Sequence, residues 1–153
     1  LGPDSESQQW VAEVARLAAR PYEVLRKIRT GDLQVDVSVP ESATLHQGTP
    51  VILDDIASSG RTMARAVERL LAAGTGSPVC LAIHAVFAEG AHDVIMSAGA
   101  ARIVTTDTIP HPSNVIGTAG VLAKAVRSAV SGLDLPVSGR TRLTPTRSER
   151  NSK

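Results

Sequence analysis

The chain has 153 residues, 42% hydrophobic and 20% charged, with a net charge of +1, which suits one soluble globular domain that closes its own core. Aromatic residues make up only 2%, so the core must be aliphatic, and too few rings exist to stack the bases of a nucleic-acid strand. No apolar stretch is long enough to span a bilayer and no signal-peptide core stands near the start, so a cytoplasmic location with no membrane partner is expected.

The charge is unevenly divided. From Asp134 onward five basic side chains face two acidic ones, and the rest of the chain carries eleven against thirteen. A disordered, solvated basic tail over 134–153 is expected, with no nucleic-acid role. The first residue is Leu1, not Met, and a chain cut from something longer is expected.

Residues 5–20 read as a helix with Trp10, Val11, Val14, Leu17 and Ala18 on one face, Asp4 as its N-cap and Pro21 as its end. YEVL at 22–25 reads as a strand, and the charged residues 26–34 as a mobile loop or hairpin end. QVDVSV at 34–39 alternates like a half-buried strand. PVIL at 50–53 has the profile of a central parallel strand that meets Asp54 and Asp55. Residues 61–73 form a helix with Met63, Ala66, Val67, Leu70 and Leu71 on one side and Gly74 as its stop. PVCLAIHAVF is the next buried strand, 89–98 a helix, ARIVTT at 101–106 a strand and 117–130 a last helix. This alternation predicts an α/β fold, a parallel sheet flanked by helices, ending near Leu133. Cys80, alone inside an apolar run, is a buried core thiol that leaves no disulfide to form.

In such sheets ligands sit beyond the carboxyl ends of the strands, and DDIASSGRT occupies that place. Gly60 permits a tight turn and close approach, backbone N–H groups converge at the helix start, and Ser58, Ser59 and Thr62 add hydroxyls. The result is a phosphate cradle. The spacing is not that of a Walker A loop, since no Lys follows the Gly, and Gly74-Thr75-Gly76 lacks the third Gly of a dinucleotide fingerprint. Asp54 and Asp55, directly before the cradle, offer acceptors for two neighbouring hydroxyls, directly or through Mg²⁺. A phosphate at one end and a diol at the other describes ribose 5-phosphate. No two His or carboxylates recur at a helical metal spacing; His46 and His92 make no pair with each other, and His84 and His111 are read as structural.

The run VILDDIASSGRTM, 51–63, resembles the PRPP-binding signature of type I phosphoribosyltransferases and PRPP synthetases. Residues 84–114, with Thr106-Asp107-Thr108-Ile109-Pro110, resemble the PRPP synthetase pattern, and GPDSESQQW resembles that family's pyrophosphate loop. The chain thus resembles, over residues 2 to about 130, the C-terminal, phosphoribosyltransferase-type domain of ribose-phosphate pyrophosphokinases, with the N-terminal half absent. The domain is then expected over 1–133, lacking its first strand. The resemblance implies transfer of diphosphate from Mg-ATP to the 1-hydroxyl of ribose 5-phosphate, with Mg²⁺ as cofactor and a homo-oligomeric assembly. It implies that Asp54 and Asp55 hold the ribose hydroxyls and that Ser58, Ser59, Gly60 and Thr62 hold the 5-phosphate. It also implies that Lys27 and Arg29 are the catalytic cations and that Asp4 is linked to the metal. Two departures stand out: Ser5, Glu6 and Ser7 follow Pro3-Asp4 where small residues are common, and Arg61 replaces a frequent Gly. The isolated chain is expected to bind the sugar phosphate without catalysis. The alternatives are a base-specific phosphoribosyltransferase and a catalytically silent regulatory subunit of a PRPP synthetase.

Overall fold

The computed structural model describes residues 1–30, 34–38, 46 and 48–131, and the expected basic tail lies outside them. The chain divides into two units, Leu1–Ala119 and Gly120–Lys153. In the first, β3 (Val51–Ile56), β4 (Val79–His84), β5 (Arg102–Thr106) and β6 (Asn114–Ile116) form a parallel sheet in the order 3-4-5-6. Helices α2 (Arg61–Ala72) and α3 (Ala91–Ser97) are the crossovers.

Aliphatic and small side chains build the core. Met63, Ala66, Val67 and Leu70 recur at helical spacing on α2, and they join Ile95 of α3 and Ile52, Cys80, Ala82 and Ile103 of the sheet in one buried cluster. Thr75, just past the end of α2, is buried and its hydroxyl donates to Leu70 O at 2.9 Å. This satisfies one of the carbonyls a helix end leaves open.

Several elements depart from the sequence expectations. The first helix opens as a 3-10 turn, Ser5–Ser7, and α1 proper is Gln8–Leu17. Asp4 caps that turn, accepting from Glu6 N at 3.1 Å. The buried positions of α1 are Val11 and Ala15, whereas Val14 is 47% and Leu17 71% exposed. The face is rotated because Val14, Ala15 and Ala18 wall an open cleft shared with Leu1, Tyr22 and Val51, of about 490 Å³. YEVL is no strand: Val24 makes one isolated parallel bridge to Gly2. Leu1 bonds to β3 on its other side, its ammonium donating to Val51 O at 2.8 Å and its carbonyl accepting from Leu53 N at 2.9 Å.

Residues 26–34, read as a loop or hairpin end, contribute β1 (Arg26–Thr30), which pairs antiparallel with β2 (Gln34–Ser38) in a separate two-stranded sheet. The strand expected over 78–87 stops at His84, and the three-residue β6 was not expected at all. In the second unit, α4 (Ala119–Val130) accounts for the predicted last helix; Ser131 Oγ donates back to Arg127 O at 2.6 Å.

Candidate functional site at the ends of the parallel strands

All four strands run the same way, so β3, β4 and β5 present their last residues along one rim. Asp54 and Asp55 lie within β3 and not beyond it, because the ladder continues past them: Asp54 pairs with Ala82 and Ile56 with His84. Asp54 is half-buried and Asp55 exposed. Each carboxylate accepts the next backbone N–H, Asp55 N to Asp54 Oδ1 at 3.0 Å and Ile56 N to Asp55 Oδ1 at 2.8 Å. These bonds fix both side chains and leave lone pairs to spare.

Burial raises the Asp54 carboxyl from its ordinary 3.8 to about 6, with the negative charges of Asp55 and Asp4 adding to the effect. Asp4 at the start of the chain and the acid pair of β3 therefore share one electrostatic site, across fifty residues of sequence. A bound cation would relieve their mutual repulsion. Among the described residues no three His, Cys, Asp or Glu side chains form a metal-holding group. The Asp54 and Asp55 carboxylates are oxygen donors of the kind a hard divalent cation such as Mg²⁺ takes, one or two from a protein with water completing its shell.

The cradle follows directly. Ala57 is buried and its N–H donates to His84 O at 3.1 Å, which anchors the loop to β4. Among the described residues no acceptor is found for the backbone N–H groups of Ser58, Ser59, Gly60, Arg61 and Thr62, and no side chain caps α2. The hydroxyls of Ser58, Ser59 and Thr62 are exposed and equally open. Gly60 has φ +73, and a Cβ there would lie 2.6 Å from Ala91 O. Only glycine meets both conditions, and with it the loop lies flat against α3. Five open donors at the positive end of a helix dipole make a receptor for a polyanionic oxygen cluster.

Lys27 and Arg29 stand in β1 opposite Val37 and Val35; their strand is not part of the parallel sheet. Sequence reasoning gave no role to a hydrogen-bonded group at the ends of β4 and β5. His84 Nδ1 lies 2.9 Å from Thr108 Oγ1, Thr106 Oγ1 donates to Ile83 O at 2.6 Å, and Thr108 N donates to Thr106 Oγ1 at 3.3 Å. Asp107 accepts from both Thr118 N (2.8 Å) and Thr118 Oγ1 (2.6 Å), and these bonds hold its carboxyl below the usual range. The run Thr106-Asp107-Thr108 thus ties three strand ends together, and its hydroxyl-rich composition was the available signal.

Residues 1–120 match the family model of the phosphoribosyl transferase domain. The chain is 29% identical over 128 residues to a ribose-phosphate pyrophosphokinase of Methanopyrus kandleri, covering 84% of this chain and 44% of that protein. It is 34% identical over 126 residues to ribose-phosphate pyrophosphokinase 1 of Archaeoglobus fulgidus, covering 82% and 44%. The crystal structure of phosphoribosylpyrophosphate synthetase from Mycobacterium smegmatis superposes with a TM-score of 0.67 at 25% identity, covering 85% of this chain and 44% of that one. The chain therefore spans less than half the length of these relatives.

Proposed function

Because the chain belongs to the phosphoribosyl transferase domain family, we propose that the β3–α2 loop binds ribose 5-phosphate and serves the reaction for which its relatives are named. That reaction transfers diphosphate from Mg-ATP to the 1-hydroxyl of the sugar. The observation that carries this reading is the direct succession, on one strand end, of two fixed carboxylates and five N–H groups with no acceptor among the described residues. The N–H groups of Ser58 to Thr62 take the 5-phosphate, with the Ser58, Ser59 and Thr62 hydroxyls as further donors. Asp54 and Asp55 accept from the ribose hydroxyls, and Asp4 adds negative charge where a cation would sit. Mg²⁺, when bound, supplies the positive charge that neutralises the transferring phosphoryl oxygens. Lys27 and Arg29 are assigned to the transferring group on family resemblance alone.

Binding and turnover are separate claims for this chain. It supplies the sugar-phosphate side of the reaction; the ATP side and assembly into a homo-oligomer belong to the same reading. Among the described residues no helix is long and apolar enough to cross a membrane; a cytoplasmic location is part of the same proposal. The test is a calorimetric titration with ribose 5-phosphate and Mg²⁺, beside the Asp54→Asn/Asp55→Asn double variant. Saturable binding lost in the folded variant supports the assignment. Equal binding by both proteins, or none by the folded parent, refutes it. Pyrophosphate release from PRPP on adding a nucleobase would instead favour a base-specific transferase.

A further inference from the structure

The cradle leans on side chains that this reaction leaves without a task. Ala88 N donates to Ser58 O at 3.1 Å, and Gly60 is held against Ala91, so the β4–α3 connection forms the wall behind the loop. Phe87 and His92 stand on that wall, and His111 reaches them from the β5–β6 connection. Ring centroids lie 4.7 Å apart for Phe87–His111, 6.1 Å for Phe87–His92 and 5.9 Å for His92–His111. The two histidines stand nineteen positions apart in the sequence, and only the sheet topology joins them.

Both imidazoles have an open Nε2, and the His111 ring is held through its Nδ1. His111 Nδ1 lies 2.7 Å from Ser113 Oγ, which is buried and 2.8 Å from Thr105 Oγ1. His92 Nδ1 faces the Asp93 carboxylate at 3.7 Å. Neither Nε2 has a hydrogen-bond partner among the described residues. Hydrogen bonding at one ring nitrogen fixes the orientation of a histidine and leaves the other nitrogen to face an ion, and His111 is held in that way. Ser113 N also approaches His111 Nδ1, at 3.2 Å. That N–H donates to Nδ1, so the ion-free neutral ring carries its proton on Nε2, and an ion binding there moves the proton to Nδ1, where Ser113 Oγ accepts it, or releases it to solvent.

Distances agree. With metal–nitrogen bonds of about 2.0–2.1 Å, two imidazoles on one tetrahedral ion have ring centres roughly 5.2 Å apart. The observed 5.9 Å needs only a small rotation of two partly exposed rings to close. We propose that His92 and His111 form a two-histidine site for a borderline divalent transition metal of the Zn²⁺ class, bound through both Nε2 atoms. The ion clips the β5–β6 connection to the first turn of α3, directly behind the phosphate loop. Imidazole donors favour Zn²⁺, Ni²⁺ or Cu²⁺ over Mg²⁺, so the site is chemically distinct from the carboxylate group at β3. Two protein ligands leave the remaining positions to water, and affinity in the micromolar range follows.

The test is a Zn²⁺ titration of the full chain by calorimetry at pH 7.5, for the parent, His92→Ala, His111→Ala and His46→Ala as control. One equivalent should bind to the parent and the control, at least tenfold more weakly to either site variant, and millimolar Mg²⁺ should not compete. In the parent itself, paramagnetic Co²⁺ should broaden the ring C–H signals of two of the four histidines, His92 and His111. Undiminished Zn²⁺ binding in the His92→Ala/His111→Ala double variant overturns the proposal. So does the absence of binding to the folded parent, or broadening centred on His46 or His84.

Discussion

Asp54→Asn should stabilise the fold while removing the site's chemistry. Burial raises the Asp54 carboxyl from 3.8 to about 6, and neighbouring Asp55 and Asp4 oppose its ionisation further. The folded group holds its proton more tightly than the unfolded one, so stability is fully present below about pH 4 and is lost as the pH rises through about 6. In a site sealed from water that rise would cost roughly 3 kcal/mol at pH 8. Asp54 is only half-buried, so solvent screening leaves about 1 kcal/mol, or about 4 °C in Tm for a unit of this size. Asn keeps an oxygen for the Asp55 N–H and carries no charge. Thermal unfolding of parent and variant should therefore show a gain of a few degrees for the variant at pH 8. The gain should shrink towards zero at pH 4, where the parent carboxyl is itself protonated. A variant less stable than the parent at pH 8, or an equal gain at both pH values, would refute the reasoning.

Three further outcomes follow from single contacts. Gly60→Ala forces a side chain into a left-handed conformation and against the Ala91 carbonyl, at a cost of about 2–3 kcal/mol, seen as a Tm lowered by about 10 °C; a neutral result would show that the loop does not rest on α3 as described. Asp107→Asn loses the charge-assisted bonds to Thr118, so the parent should exceed the variant at neutral pH, and the difference should vanish as acid protonates Asp107, the opposite sign to Asp54. Cys80, fully buried with its thiol pushed up to about 12, should resist a thiol reagent at pH 8 in the native protein and react in denaturant; rapid native labelling would contradict its place in the core.

The β3–loop–α2 unit was legible because each level agreed: an apolar strand, two acids, small hydroxylic residues, a Gly that only a left-handed turn requires, and a strongly amphipathic helix. Burial on α1 was not legible, since helical periodicity cannot show that Val14 faces an open cleft or that Leu17 is exposed. Strand β6 escaped because three residues, Asn114 to Ile116, are too few to show a period. The hairpin of β1 and β2 was half-read, its charged first strand resembling a loop. Tertiary juxtapositions were out of reach altogether: Asp4 acting on Asp54, and His92 meeting His111, depend on strand order and not on spacing.

The most direct test of the central claim is the backbone amide spectrum of this chain titrated with ribose 5-phosphate and Mg²⁺. The five N–H groups from Ser58 to Thr62 have no intramolecular acceptor among the described residues, so a phosphate oxygen should shift those resonances downfield, saturably and ahead of all others. In the Asp54→Asn/Asp55→Asn variant the same titration should leave them nearly unmoved. Shifts that saturate elsewhere, with residues 58–62 silent in the folded parent, would contradict the assignment of this loop as the sugar-phosphate site.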